Sequence, residues 1–509
     1  MDNKERTTRS SGFQEICSRR WGIASTLLAT ILASIVLLTL LGHKPLTNWD
    51  EGIYAEISRE MLSLGFLVPH WNYQPWFEKP PLMLWITAAF FKLFGVHDFW
   101  ARAGSAFSGV AIVALLHAWL IRRNDMLAAW LSTLILLSTF GFLHVCRVGE
   151  MDVLLSLGCC ITLCGLTAIQ NDKLTGWYLF WAGVAIALMT KGAACIILII
   201  TALLFAMIER WNMARLGRSF WQGLLFFLIA VLPWHLYMFH VFGNSFVTEY
   251  FGFHVLARAT HQIEDHITHW WYYLWVLLIS GAPFVLLYPF ALIDSLRRKE
   301  LRAWSIFALV VVGFFTVVQT RLPHYIAPAY PALAVVTAAF MADRLRALQR
   351  RSRLSPASFW TTATLLITAI CIGSAFLTSG PRRKLHQATV GPDIVYAEKE
   401  SIQLLRDVFN KPQPVSGPLL VWWEGDKRSI ATSIFYSRRP VHQVQSQPLT
   451  TGIGTDKYLF EPETLEDALS SGPRIILLDR YLVPQIPSGF TYRQIISGHS
   501  MEVGVIARQ

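Results

Sequence analysis

Long apolar runs, separated by short polar stretches, fill the first three quarters of the chain. Each run is close to the roughly 20 residues that an α-helix needs to cross the hydrocarbon core of a bilayer. The pattern therefore predicts an α-helical polytopic membrane protein. We expect eleven spanning helices, at about 21–41, 99–121, 126–145, 153–170, 176–190, 192–209, 220–242, 270–293, 304–318, 325–342 and 359–379.

Lysine and arginine are concentrated in alternate loops between these runs. Membrane proteins collect such residues in cytoplasmic loops, which places the N-terminus in the cytoplasm and makes the first run a signal-anchor span. An odd number of spans then puts the C-terminal region on the outer face. The basic clusters that set this orientation are Lys4 to Arg20, Arg122-Arg123, Lys173, Arg210 to Arg218, Arg297 to Lys299 and Arg344 to Arg353.

Two shorter segments follow a different pattern. Residues 50–64 are amphipathic at the helical period, and residues 82–94 are apolar but too short to span a bilayer. We expect both to form helices along the outer membrane surface and to frame a pocket there. In the first segment the predicted apolar face carries Ile53, Ile57, Met61 and Leu64, and the opposite face carries Glu56, Arg59 and Glu60.

The composition changes after Thr378, where charges, prolines and glycines become frequent. Two short apolar runs in this region, Leu419–Trp423 and Arg474–Asp479, are typical of buried strands, and helical stretches alternate with them. Such alternation indicates an α/β domain. We therefore predict a transmembrane domain at 1–379 and an α/β domain on the outer (periplasmic) face at 380–509.

Bulk composition agrees with the membrane class. The chain has 509 residues, of which 54% are hydrophobic and 15% charged, whereas soluble domains carry about 25% charged residues. The mean hydropathy is +0.42. Cytoplasmic loops explain the net charge of +11, and no nucleic-acid-binding motif is present, so nucleic acid is not an expected partner. Of seven cysteines, all but Cys17 lie in or beside apolar runs, which argues against disulfides.

Four predicted outer loops gather acids, bases and histidines at one membrane depth. Each loop alone is weak evidence, since a turn acid such as Asp152 also suits a helix cap and His266 or His269 also suits a plain surface position. Their convergence is more informative. Placing a charge near hydrocarbon is costly, so a group of charged residues there usually has a function. The loops carry Asp50, Glu51, Glu56, Arg59, Glu78 and Lys79; Arg147, Glu150 and Asp152; Glu249, His254, Arg258, His261, Glu264, Asp265, His266 and His269; and Arg321, His324 and Tyr325.

The chemistry that suits this set is transfer of a group carried on an anionic lipid. Such a donor has an apolar tail and a phosphate at the interface. Lys79, Arg258 and Arg321 are candidate phosphate ligands, and they would neutralise the departing phosphate. Asp50 is the candidate carboxylate for taking the acceptor's proton or orienting the acceptor. No nucleotide-binding motif is present, so ATP-driven transport is not implied.

A metal site is a second expectation for these loops. Glu78 and His254 carry the oxygen and nitrogen ligands that zinc or a similar divalent ion accepts. His261 competes with His254 for this position. The alternative is a Glu–His hydrogen bond that ties two loops together.

Four segments carry a family resemblance: NWDEGIYAEISREML, WFEKPPL, HVLARAT and QTRLPHYIAPAYPALA. They resemble the GT-C membrane glycosyltransferases of the protein-mannosyltransferase-like superfamily, and within it the bacterial aminoarabinose transferases of lipid A. The resemblance covers roughly residues 20–345. It implies an inverting transfer of a sugar, such as 4-amino-4-deoxy-L-arabinose, from polyprenyl (undecaprenyl) phosphate to a lipid A phosphate or another envelope acceptor. This chemistry takes place at the periplasmic face of the bacterial inner membrane.

The resemblance also assigns roles by position. The Asp50-Glu51 pair corresponds to the catalytic acidic motif, and Asp152 to the second acidic position. Lys191, within TKGAA, matches a recurrent Lys-Gly to which no role is assigned. Donor-phosphate contacts are implied for Tyr54, Lys79, Arg258, Arg321 and Tyr325, and metal ligation for Glu78 and His254.

The chain departs from the aminoarabinose branch at two positions. Ile53 stands where the branch usually has arginine, and Trp76 where it often has tyrosine. Two alternatives therefore stay open. One is a protein O-glycosyltransferase of the same superfamily, which would need Asp50 as a true general base. The other is a lipid transporter, which the pattern disfavours because it shows neither inverted repeats nor broken helices near the midplane, and because the charges lie at the outer boundary instead.

Overall fold

The structure is a computed structural model of the chain. It describes residues 2–47, 50–212, 215–257, 269–319, 321–390, 392–413, 415–422, 430–444 and 464–509. Within these ranges the backbone alone is described for 2–19, 253–257, 374–390, 392–398 and 430–431. The chain divides into two compact units: 1–41, 78–83 and 102–379 form the first, and 42–77, 84–101 and 380–509 the second.

Helices account for most of the described residues, as the apolar runs predict. The α-helices are α1 (Asp2–Leu38), α2 (Asp50–Leu64), α3 (Leu82–Phe94), α4 (Asp98–Ile121), α5 (Met126–Ser138), α6 (Phe140–Cys146), α7 (Asp152–Gln170), α8 (Gly176–Lys191), α9 (Ile196–Ile208), α10 (Arg218–Phe242), α11 (Asn244–Val247), α12 (Tyr272–Ser280), α13 (Tyr288–Leu296), α14 (Lys299–Val317), α15 (Ala329–Arg351), α16 (Pro356–Val390), α17 (Pro392–Phe409), α18 (Ile430–Ser437) and α19 (Leu465–Ala468). A π-helix covers Thr248–Ala257, and 3₁₀ turns cover Gly192–Cys195, Phe284–Leu287, Pro323–Ile326 and Arg480–Gln485.

Seven helical stretches in the described residues are long and apolar enough to cross a membrane, or up to nine if each bent pair is counted as one span. The chain is therefore a multi-pass membrane protein. One of the seven stretches is Gly176–Ile208, which has 33 residues and contains both α8 and α9. The sequence predicts two spans there. The count of eleven stays a prediction.

Contacts at the two ends of Gly176–Ile208 show that the stretch folds back on itself. The residues just after α9 return to the end of α7, where Trp211 Nε1 donates to Gln170 Oε1 at 2.7 Å. Arg215 lies 3.2 Å from Asp172 at the same place. A straight helix of 33 residues would be about 50 Å long and would separate these groups. Hence α8 and α9 are antiparallel, with the reversal at Gly192, where φ is +54°.

Two helix pairs are bent sharply, which corrects the expectation of unbroken helices. α5 and α6 meet at an angle of 69° and α12 and α13 at 117°. At the first break Thr139 has extended backbone angles, and at the second Pro283 precedes the turn. Proline lacks an amide donor and so interrupts the helical ladder.

The basic loops of the first unit meet at one end of its helix bundle, which we call the basic end. This is the arrangement that the positive-inside pattern predicts for loops on one side of a membrane. The ion pairs that join these loops are Arg215–Asp172, Arg302–Glu209, Arg298–Asp343 and Arg346–Asp125.

In the second unit, five described strands form one mixed sheet in the order β4-β3-β5-β7-β6. β3 pairs with β4 and β5 in parallel, and β7 pairs with β5 and β6 antiparallel. β3 is buried throughout and β5 is buried in its four inner residues, as expected for apolar runs covered on both faces. The strands are β3 (Leu419–Trp422), β4 (Val441–Gln443), β5 (Arg474–Asp479), β6 (Phe490–Ser497) and β7 (Met501–Arg508), and a separate hairpin pairs β1 (His70–Trp71) with β2 (Gln74–Pro75).

The helix α2 is buried on both faces, so the prediction of a water-exposed polar face is wrong. Glu56 and Glu60 on its predicted polar face are fully buried. Arg59 Nε donates to Glu56 Oε2 at 2.8 Å, and the amide of Tyr73 donates to Glu60 Oε2 at 3.0 Å. Periodicity alone predicted water on this face, whereas the β1–β2 hairpin supplies polar partners that allow its burial.

Candidate active site

An ion pair joins the ends of two adjacent helices in the first unit. α7 begins at Asp152 and α8 ends at Lys191, and because these helices are antiparallel the two residues lie at the same end. Lys191 Nζ donates to Asp152 Oδ1 at 2.7 Å, with 14% and 4% of the side chains exposed. Desolvating two charges is costly, so a pair held at the end of an apolar bundle is a functional candidate.

The close approach of α7 and α8 comes from small residues. A Cβ atom at Gly158 would lie 2.7 Å from the carbonyl oxygen of Gly183, and one at Gly183 would clash with the carbonyl oxygen of Gly158. Small residues let helix backbones pack closely in membranes. This packing brings the ends of the two helices, and thus the ion pair, together.

A tight turn places an aromatic ring beside the ammonium of that pair. Tyr325 lies in the turn Pro323–Ile326, and its ring centroid is 4.9 Å from Lys191 Nζ. The turn is held from another helix, because the hydroxyl of Tyr273 donates to the carbonyl of Leu322 at 3.2 Å. A cation over an aromatic face is stabilised by the ring's quadrupole, so Tyr325 adds a favourable contact for the Lys191 ammonium.

His324, in the same turn, faces an acid that precedes α7. His324 Nδ1 lies 3.9 Å from Glu150 Oε2, and each side chain is 16% exposed. The backbone carbonyl of Glu150 accepts a hydrogen bond from Ser105 Oγ at 2.7 Å, which ties this loop to α4. The Asp152 carboxylate also interacts electrostatically with His324.

Glu78 and Lys79 belong to the same unit. Lys79 Nζ lies 3.5 Å from Glu78 Oε2, and both side chains are less than one-fifth exposed. Lys79 interacts electrostatically with Asp152, so it shares the environment of the ion pair. We call the set formed by Glu78, Lys79, Glu150, Asp152, Lys191 and His324 the charged cluster.

Arg321 lies close in sequence to this cluster but has a local structural contact. Its Nη2 donates to the carbonyl of Thr316 at 2.7 Å, near the end of α14, and only 6% of the residue is exposed. A basic side chain on the last carbonyls of a helix caps that helix. The predicted phosphate role of Arg321 stays a prediction.

The remaining predicted residues that the structure describes lie in the second unit. Asp50 begins α2 and is half-buried, and a carboxylate is favoured there by the helix dipole. Glu51 is 1% exposed, and its Oε2 accepts from the amide and hydroxyl of Thr47 at 2.7 and 3.0 Å, so it supports the helix start. Tyr54 is buried edge-on against Trp76, with ring centroids 6.2 Å apart.

The residues that follow the π-helix lie mostly outside the described part of the chain. This applies to Arg258 and His261 and to the side chain of His254. Within the described part of the chain, no group of three or more histidine, cysteine or acidic residues is arranged to hold a metal. A structural zinc site takes four protein ligands and a catalytic one usually three, so Glu78 beside Lys79 does not by itself make such a site.

Sequence reasoning missed the central position of Lys191. The family resemblance gave a recurrent Lys-Gly without a role. The structure gives a physical reason for each of these two residues. Gly192 has φ +54° and ψ −122°, angles open to glycine but not to side chains, and a Cβ there would lie 2.6 Å from Tyr250 Oη. The signal available in the sequence was a lysine at the predicted outer end of a span.

Comparisons with known proteins place this chain among membrane glycosyltransferases. Residues 78–237 match the family described as Dolichyl-phosphate-mannose-protein mannosyltransferase. The chain is 31% identical over 392 residues to the undecaprenyl phosphate-alpha-4-amino-4-deoxy-L-arabinose arabinosyl transferase of Serratia proteamaculans, covering 72% of this chain and 67% of that one. It is 31% identical over 354 residues to arabinosyl transferase 2 of Pseudomonas fluorescens, covering 66% of this chain and 58%, less than two thirds, of that relative.

The fold also matches a solved structure. The crystal structure of ArnT from Cupriavidus metallidurans bound to undecaprenyl phosphate superimposes with a TM-score of 0.70 at 21% identity, covering 94% of this chain and 97% of that one. The helical bundle with its charged cluster and the second unit with its sheet thus define a membrane glycosyltransferase of the GT-C type. The chain belongs to the family of the undecaprenyl phosphate-aminoarabinose arabinosyl transferases.

Proposed function

We propose that this protein transfers a sugar from an undecaprenyl phosphate carrier to a phosphate of lipid A or a similar envelope glycolipid. The sugar class that its relatives' names favour is 4-amino-4-deoxy-L-arabinose. The observation that carries the proposal is the charged cluster, in which Lys79 and the buried pair Lys191–Asp152 lie at one end of an apolar helix bundle. A lipid tail beside the helices would deliver its phosphate to such a position.

In this reaction the bond between the anomeric carbon and the donor phosphate oxygen breaks. An oxygen of the acceptor phosphate forms a bond to the opposite face of the same carbon, which inverts its configuration. Undecaprenyl phosphate leaves with the bonding electron pair. Lys79 and Lys191 would stabilise the negative charge that grows on that phosphate, and positioned cations contribute most where charge develops.

The role of Asp50 depends on the acceptor. A phosphate acceptor is already ionised near pH 7, so Asp50 would orient the acceptor or hold the amine or hydroxyls of the donor sugar. The placement of the residue suits this, because Asp50 is half-buried at the start of α2 whereas the carboxylate of Glu51 is engaged by Thr47. Of the acidic pair, Asp50 is therefore our candidate for the reaction.

The test compares acceptors. Membranes that contain the protein are incubated with donor lipid and with lipid A before and after removal of its phosphates, and lipid mass spectrometry follows the added sugar. We expect labelling of intact lipid A, no labelling of the dephosphorylated lipid, and strong reduction in Asp50→Asn. Undiminished labelling of dephosphorylated lipid would move the assignment to a hydroxyl acceptor.

A second candidate is transfer to a protein hydroxyl. It is favoured by Ile53, which is 8% exposed on α2 and stands where the aminoarabinose branch usually has arginine. An apolar buried side chain does not bind a phosphate. The contact to an anionic group that the arginine of that branch would provide is therefore missing here. Sugar on serine or threonine in the same assay would support this candidate, with Asp50 as general base.

The orientation is also part of the proposal. We place the basic end in the cytoplasm of a bacterial inner membrane, and residues 380–509 as a domain in the periplasm. The support is the gathering of the basic loops at one end of the first unit. The transfer would then occur at the periplasmic face.

A divalent metal shared by Glu78 and His254 stays a hypothesis, and no step above depends on it. Of these two predicted ligands, the structure describes only the side chain of Glu78. The ammonium of Lys79 lies 3.5 Å from that carboxylate. Elemental analysis of the purified protein and of Glu78→Ala and His254→Ala variants decides the matter. Equal metal content in all three would remove the site.

A further inference from the structure

One residue of the C-terminal region is bonded to the segment that precedes α2. The phenol of Tyr436, on α18, accepts a hydrogen bond from the amide of Leu46 at 2.8 Å, four residues before Asp50. The same hydroxyl donates to Asp98 Oδ1 at 2.9 Å. Arg406 of α17 pairs with Asp98 and lies 4.6 Å over the Tyr436 ring. All these residues belong to the second unit.

These polar contacts surround an apolar core that includes α2 itself. Five buried side chains pack together there, and the ring of Tyr436 packs against them. They come from the segment before α2, from α2, from α3, from the first turns of α4 and from α18. Packed cores resist displacement, so we expect α2 and α18 to keep a fixed relative position. The core residues are Leu46, Ala55, Phe91, Ala101 and Phe435.

We call the contacts of Tyr436 the first junction between the α2 segment and the C-terminal region. The second junction involves Asn72, in the turn of the β1–β2 hairpin. Its Nδ2 donates to the carbonyl of Val441 at 3.0 Å, and its Oδ1 accepts from the amide of Val441 at 2.9 Å. The amide side chain thus occupies both outward-facing backbone groups of Val441 on the edge strand β4. Asn72 and Tyr73 have φ of +51° and +65°, which is the left-handed geometry of a type I′ turn.

The hairpin is in turn bonded to α2. The amide of Tyr73 donates to Glu60, and its hydroxyl accepts from Arg59 Nη2 at 3.0 Å. The tyrosine hydroxyl also donates to the carbonyl of Arg438, next to β4, at 3.4 Å. The α/β region therefore contacts the α2 segment at two places. Tyr436 bonds to the residues before the first turn of α2, and the hairpin links the second half of α2 to β4.

We propose that the C-terminal α/β region positions the start of α2, and with it Asp50, and that Tyr436 and Asn72 are positioning residues of the transfer reaction. This inference rests on the proposed function for the role of Asp50. The region acts by fixing where the carboxylate sits, and a misplacement of about 1 Å at a reacting centre can lower a rate by about a hundredfold. A different role, direct binding of the acceptor, would leave α2 where it is.

The test compares full-length protein with three isosteric variants. Tyr436→Phe removes one hydroxyl and keeps the ring, and Asn72→Asp keeps the turn but loses the donor to Val441. Tyr492→Phe is the matched control, because its hydroxyl donates to Glu502 within the same sheet at 3.1 Å and contacts neither junction. Two quantities are measured: hydrogen exchange of peptides covering 42–61, and kcat with KM for the lipid donor.

For Tyr436→Phe and Asn72→Asp we expect amide exchange in 42–61 to accelerate about tenfold or more. We expect kcat to fall about ten- to a hundredfold, with the donor KM within about twofold and the control unchanged in both readouts. Unchanged exchange in 42–61 would overturn the proposal even with full loss of activity. A raised acceptor KM with unchanged kcat would also overturn it, in favour of acceptor binding. If the wild type transfers no sugar, the proposed function fails, and the exchange measurement still decides whether the region positions α2.

Discussion

At the scale of single residues, the candidate site is built from side chains that have a buried charged partner. Lys191 and Asp152 are charged, nearly enclosed and 2.7 Å apart, and Tyr325 adds an aromatic face to the ammonium. Sequence reasoning named Asp152 and Tyr325 because each matches a family position. It left Lys191 without a role because an ion pair across two helices has no signature along the chain.

Neutralising Lys191 tests the pair directly. Breaking a buried ion pair by removing one partner typically costs about 3–5 kcal/mol of stability, so Lys191→Met and Asp152→Asn should each lower the unfolding temperature and nearly abolish transfer. The double variant leaves no unpaired charge, so its destabilisation should be smaller than the sum of the two. Thermal unfolding in detergent measures this, and strict additivity would show that the two residues do not interact.

Glu60 supplies a pH prediction. Burial, together with the neighbouring Glu56, raises the pKa of Glu60 from 4.5 to about 10. Between these two pH values the folded protein holds a proton that the unfolded chain has released, so the free energy of unfolding should fall as pH rises through this window. In Glu60→Gln, which resembles the neutral acid, this decline should be weaker. Identical pH profiles for the variant and the wild type would contradict the assignment.

At the scale of elements, the reversal between α8 and α9 decides where Lys191 lies. Gly192 allows the reversal because its backbone angles exclude a side chain and because Tyr250 fills the space beside it. The loop beyond α9 then returns to the end of α7, as the contacts of Trp211 and Arg215 show. A glycine at the end of an apolar run therefore sets both the topology and the site.

A methyl group at Gly192 should disrupt the site. Backbone strain of this kind costs about 1–3 kcal/mol, and the added Cβ would also lie 2.6 Å from Tyr250 Oη. We expect Gly192→Ala to lower transfer strongly by displacing Lys191, and to lower the unfolding temperature. Gly313→Ala is the control, because a Cβ there, in the middle of α14, has nothing within 4 Å. Equal behaviour of the two variants would show that the reversal tolerates a side chain.

At the scale of the whole molecule, the prediction concerns topology. With the basic end in the cytoplasm and eleven spans, the N-terminus is inside and residues 380–509 are outside. Reporter fusions at Arg298, which pairs with Asp343 at the basic end, and at Lys384 should therefore report opposite compartments. Reports from the same compartment would overturn the span count.

The sequence by itself determined the class of this protein. Apolar runs of spanning length and alternating basic loops are local properties of a chain in a bilayer, so they predict a polytopic helical protein without knowledge of its packing. Short motifs likewise indicated the family, and they gave Asp50, Lys79 and Asp152 as candidate site residues. The buried strands in the C-terminal third were visible for the same reason, because a run of apolar residues between turns is a local signal.

Only the tertiary structure decided which of these residues lie together. Contacts between distant segments pair Lys191 with Asp152, assign Glu51 to the helix start, bury the polar face of α2 under a hairpin, and join Tyr436 to the amide of Leu46. Helical periodicity predicts which residues share a face. It does not predict what covers that face, because burial of a polar group depends on partners that the rest of the fold brings to it.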